Sequence, residues 1–286
     1  MAQGTYYVPH TAKWPIVGSI GLFTLMVGAA NWLNTNPTGP WIFAIGAGIV
    51  ILMMFGWFAD VIKESEAGLY SDAVDASFRQ GMIWFIFSEV MFFAAFFGAL
   101  FYARVLSVPW IGGEGTGAMT NLLLYPDYEA TWPTHGPAEL GGDFQTIPGF
   151  GLPLINTLIL LTSGATLTMA HWALKKAQRT ALIVWMLATV ALGTIFLFIQ
   201  GYEYIHAYQD LGLTLGSGIY GTTFFMLTGF HGLHVIIGSL ILLIITFRCL
   251  AGHFTKKNHF GFEAAAWYWH FVDVVWLGLF IFVYVV

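Results

Sequence analysis

Glu89 stands alone as an ionisable residue between Arg79 and Arg104, in the middle of the apolar run GMIWFIFSEVMFF (81–93). Ten residues of helix separate it from Arg79, roughly 15 Å, which places it near mid-membrane. A carboxyl is expensive there and is cheaper neutral than charged, so it reads as a proton-handling or gating group, or as an acid hydrogen-bonded to a neighbouring helix. His231 and His234 lie three apart, as do His270 and Asp273, so each pair shares one helix face. His-x-x-His could start a haem or metal site, but no further cluster completes a ligand set. The expected arrangement is an intramembrane polar network of His231, His234, His270 and Asp273, with no metal. Gly229, Gly232 and Thr228 beside the histidines, and Ala94 and Gly98 beside Glu89, would permit close helix approach.

Such residues need helices to hold them. The chain has 286 residues, 58% hydrophobic and only 9% charged, with mean hydropathy +0.74. Soluble domains carry roughly a quarter charged residues, so a soluble enzyme, a disordered chain and a nucleic-acid binder are excluded. Seven apolar segments reach span length: 15–33, 41–59, 80–104, 153–172, 181–202, 220–247 and 263–286. The expected fold is an all-α integral membrane protein of seven transmembrane helices. Its segments are a first pair of helices within 1–60, a polar connector over 61–79, and a five-helix bundle over 80–286 with an outer loop at about 107–152. That loop is rich in Gly and Pro and acidic, which reads as a solvated cap or a docking surface for a cationic partner.

Of ten Lys and Arg, all but Arg104 fall on one side of these spans. The positive-inside rule places that side and the N-terminus within, and the C-terminus outside. The first apolar run is a full span without a small-residue cleavage site, and no Arg/Ser-rich transit segment precedes it, so direct insertion into a bacterial-type inner membrane is expected, and a mitochondrial location less so. The single Cys249 excludes an internal disulfide and any multi-cysteine cluster on this chain alone. No lysine lies within a span, which excludes a retinal Schiff base, and no phosphate-binding loop or nucleophile elbow is present.

Several stretches resemble subunit III of the aa3-type cytochrome c oxidases. They are GMIWFIFSEVMFF (81–93), PLINTLILLTSGATLTMAHWAL (153–174), TGFHGLHVIIGS (228–239) and FGFEAAAWYWHFVDVVWLGLF (260–280), with WPIVGS (14–19) and FGWFADVIKES (55–65) in the first hairpin. The resemblance implies two helices leaning away from the other five, with phospholipids in the cleft. It implies no redox centre on this chain, with the haems and copper on partner subunits. Oxidase subunits I and II are the implied partners, and cytochrome c is the substrate of the complex. The implied role is to support proton uptake and to guard the oxygen-reducing site of subunit I. Glu89 matches the family's carbodiimide-reactive carboxyl, and Trp57, Lys63, Glu64 and Arg248 match positions associated with lipid headgroups. Three departures stand out: Phe58 where many members have tryptophan, Trp172 where a histidine usually follows His171, and the Val285–Val286 close. An autonomous proton-coupled transporter using Glu89 and Asp273, and subunit III of a quinol oxidase, are the alternatives. The first-hairpin match favours the cytochrome c type.

Overall fold

A computed structural model describes residues 6–9 and 11–286; residues 1–5 and 10 of the expected 1–60 segment lie outside these. Among the described residues there is no strand, and seven helices are long and apolar enough to cross a membrane. They are α1 (Trp14–Leu33), α2 (Gly39–Glu66), α3 (Asp72–Phe101), α4 (Leu152–Lys175), α5 (Arg179–Gln209), α6 (Gly218–Ala251) and α7 (Phe260–Leu279). Wider π-type turns continue α3 through Tyr102–Ser107 and α7 through Phe280–Val285.

Prolines occupy the first turns of α1, α2 and α4, where a missing N–H costs nothing. Asp72 and Asp75 lie in the first turn of α3, and Lys63, Lys175 and Arg248 in the last turns of α2, α4 and α6. Each charge opposes the helix dipole at its end. Gly252 closes α6 at φ 82°, a conformation that favours glycine.

The helices outrun the apolar spans. α2 stays helical to Glu66 and α3 begins at Asp72, so the irregular connector is 67–71 rather than 61–79. Polar turns extend a helix past the hydrocarbon layer because its backbone is already satisfied internally. The outer segment is likewise less irregular than expected, with short helices at Val108–Ile111 and Ala118–Leu124.

The chain divides into two compact units, Met1–Gln80 and Gly81–Val286. In the first, α1 and α2 pair through glycine. A Cβ on Gly28 would lie 2.2 Å from the Phe43 nitrogen, and one on Gly46 2.3 Å from that of Leu25. The larger apolar side chains of this pair point outward: Phe23, Trp41 and Leu52 are all exposed. The second unit has a packed interior in which Trp269, Trp276, Phe196 and Leu167 are fully buried. There α4 packs on α5 and α7, and α6 on α5 and α7. α3 meets the unit through large rings instead: Phe92 stands 5.1 Å from Phe230, and Phe93 6.1 Å from Phe271. Ala94 and Gly98 do not serve as a contact among the described residues. Both are exposed, and a Cβ on Gly98 would meet nothing within 4 Å.

Candidate functional site

The polar residues inside the second unit form separate contacts rather than one network. Glu89 on α3 reaches His234 on α6, with Oε2 and Nε2 2.9 Å apart. His234 Nδ1 lies 2.7 Å from the Phe230 carbonyl. A carbonyl only accepts, so Nδ1 carries a hydrogen. One further proton therefore lies between Glu89 and Nε2: either the acid donates to a neutral ring or a charged ring donates to a carboxylate. Tyr268 on α7 donates to the His234 carbonyl at 3.4 Å, and its ring stacks on the imidazole. This contact joins three helices.

His231, one turn earlier, has different partners. It is fully buried, with Nε2 3.2 Å from the Val272 carbonyl and its ring 4.9 Å from Trp276. His270 and Asp273 form a third group. Nδ1 and Oδ2 are 3.6 Å apart, and His270 Nε2 lies 3.5 Å from Thr168 Oγ1 on α4. Asp273 presses on bare helix backbone: a Cβ on Gly164 would come within 2.2 Å of Oδ2. Gly232 gives similar room to Gln200, whose Oε1 would be 3.2 Å from an added Cβ.

Two polar clusters escaped the sequence reading. Glu203 on α5 is 1% exposed and accepts a hydrogen bond from Tyr284 at 2.5 Å. Beside it Gln200 donates to the Thr228 carbonyl, and Tyr204 to the Thr228 hydroxyl. The fifth span was expected to close at 202, one residue before Glu203, so the Gln200-x-x-Glu203 spacing was not read as intramembrane. His171, His259 and Glu263 also converge. The i,i+4 spacing of His259 and Glu263 was the available signal, but the seventh span was expected to begin only at 263.

The residues matched to lipid positions lie in different units. Trp57 and Lys63 are exposed on α2, and Trp57 stacks on Phe58 at 5.8 Å. Glu64 accepts from Tyr70 at 2.8 Å and Tyr7 at 3.3 Å. Burial, then the hydrogen bond to Glu64, raises the Tyr70 hydroxyl above its ordinary range and keeps it a donor. In the second unit the Arg248 guanidinium lies 4.4 Å over the Phe254 ring.

The family model for cytochrome c oxidase subunit III matches residues 4–286. The chain belongs to the cytochrome c oxidase subunit III family. Relatives named cytochrome c oxidase subunit 3 agree. That of Marchantia polymorpha is 41% identical over 280 residues, 98% of this chain and 95% of its own length. Those of Gadus morhua and Bos mutus grunniens are 40% and 39% identical, each over 98% of this chain and 96% of their own length. The chain is thus a multi-pass membrane subunit of a hetero-oligomeric respiratory oxidase, and the polar contacts above lie inside a subunit III. The match spans the first hairpin as well as the bundle.

Proposed function

We propose that this subunit III carries no redox centre and supports the oxygen-reducing subunit I, sustaining its proton uptake and its lifetime during turnover. The whole assembly is a proton-pumping translocase that oxidises cytochrome c, with subunits I and II holding the haems and copper. The chain lies in an inner membrane with its Lys/Arg-rich side and N-terminus inside. The reading rests on the family match over nearly the whole chain. It is further supported by the contact that joins Glu89 to His234 within this chain.

Phospholipid binding is part of the same proposal. Arg248, in the last turn of α6, can fork two N–H groups onto a phosphate, with Phe254 fixing its plane. Lys63, in the last turn of α2, offers a point charge to a headgroup, with Trp57 two turns below it at the acyl boundary. With both Glu64 oxygens accepting from phenols, Glu64 shapes the loop beside Lys63 and leaves the cation to the lipid.

The test is Arg248→Ala in the intact oxidase. Native mass spectrometry should show lower phospholipid occupancy. Oxygen-consumption traces should start at the wild-type rate and then decay several-fold sooner. Unchanged occupancy together with an unchanged lifetime would reduce Arg248 to an ordinary basic residue at a helix end.

A further inference from the structure

We propose that His171, His259 and Glu263 bind one borderline divalent cation, zinc above all, at the Lys/Arg-rich end of the five-helix unit. Three pieces of chain supply the site. His171 lies one turn before the end of α4, His259 immediately precedes α7, and Glu263 is in the first turn of α7. The three ligand atoms all lie within 4.8 Å of one another. Two imidazoles and one carboxylate are the donor set that zinc accepts with a fourth position left for water. Magnesium and calcium prefer all-oxygen sites.

The separations suit that ion. Tetrahedral zinc with bonds of about 2.0–2.1 Å sets neighbouring ligand atoms about 3.3 Å apart. Glu263 Oε1 is 3.4 Å from His171 Nε2 and 3.2 Å from His259 Nε2. The ligand atoms lie within 4.8 Å of one another, so the two rings must turn inward to close a tetrahedral site.

The protonation pattern points the same way. His259 Nδ1 lies 3.1 Å from the Thr255 carbonyl, so Nδ1 carries the hydrogen and a neutral ring turns the Nε2 lone pair toward Glu263. This is the outer hydrogen bond that orients metal-binding histidines. Both Nε2 atoms are buried, yet neither makes a hydrogen bond. They sit 3.4 and 3.2 Å from the carboxylate oxygen. Two imidazole nitrogens and a carboxylate oxygen converging at these distances make a donor set for a cation. The rings are also held in place: His171 lies 5.6 Å from His259 and 5.5 Å from Phe262. The His259 and Glu263 side chains are 9% and 12% exposed, while His171 at 21% leaves an entry for the ion and its water. A bound ion would pin the end of α4 to the turn that leads into α7. This convergence departs from the expectation that the chain holds no metal.

The test uses the purified oxidase that contains this chain. The complex is stripped with EDTA, equilibrated with zinc chloride and desalted, and zinc is counted per haem by plasma mass spectrometry. Wild type should retain one equivalent more than Glu263→Gln, while haem content and initial oxygen-reduction rate stay unchanged in both. Where Glu263→Gln fails to assemble, His171→Asn, at the more exposed position, takes its place and should lose the same equivalent. Equal zinc in wild type and variant would overturn the proposal and leave protons as the charge between the rings and the carboxylate.

Discussion

Trp269→Ala is expected to destabilise the five-helix unit by roughly 3 kcal/mol, from about 24 cal/mol per Å3 over a vacated volume of roughly 130 Å3. Within a membrane, apolar transfer contributes little to helix association, so packing and hydrogen bonds dominate. Trp269 makes both kinds of contact to three helices. It is fully buried, and its indole N–H donates to Ser163 on α4 at 2.9 Å. Its ring lies against bare backbone on α5 and α6, where a Cβ on Gly193 or Gly238 would come within 2.7 or 2.8 Å. Alanine would leave a dry void at the centre and remove the hydrogen bond that Ser163 accepts, leaving it only its own bond to the Leu160 carbonyl. Thermal unfolding of the oxidase in mild detergent should show a clearly lowered midpoint and a reduced yield of complex containing this chain. Trp269→Phe should fall between, since it keeps most of the volume and loses the hydrogen bond. A Trp269→Ala complex as stable and abundant as wild type would refute the packing account.

Glu89→Leu is expected to cost about 1–3 kcal/mol, the penalty for leaving a buried polar group without its partner. With Nδ1 committed to the Phe230 carbonyl, His234 Nε2 needs either a donor or a counter-charge from α3. Leucine offers neither. Glu89→Gln should be far milder, because its amide can donate to a neutral Nε2 or accept from a charged ring. The expected results are a lowered midpoint for Glu89→Leu and a near-wild-type midpoint for Glu89→Gln. Initial oxygen reduction should persist in Glu89→Gln, on the expectation that the Glu89–His234 contact holds this chain together rather than reacting. Abolished oxygen reduction in an assembled Glu89→Gln oxidase would contradict that assignment.

The seven helices were legible because a membrane leaves a chain few options: apolar runs of span length must be helical, and proline at their starts marks entry. Their ends were not, because polar turns such as Lys63–Glu66 extend a helix beyond the hydrocarbon without any change in hydropathy to signal it. Glu89 was visible from its isolation, yet its partner was not, since helix spacing groups residues on one helix and says nothing of which neighbour they face. His231 and His234 shared a face by periodicity but separated in space, one turning to α7 and the other to Glu89. Glu203 and the His171, His259 and Glu263 cluster fell at span edges, where an ionisable residue looks like ordinary surface until the packing is known. The short outer helices also carried little signal, because a few residues cannot establish a period.

The central claim is that this chain is a subunit III that supports oxygen chemistry carried by its partners. The most direct measurement is purification through an affinity tag on this chain in mild detergent, with an optical spectrum before and after the chain is separated from the complex. Haem absorbance and haem-bearing chains should copurify with the tag. After separation, all haem should remain with the partner chains, which should still start oxygen reduction and then inactivate sooner. Stoichiometric haem travelling with the separated chain, or proton flux driven by this chain alone in liposomes, would contradict the account.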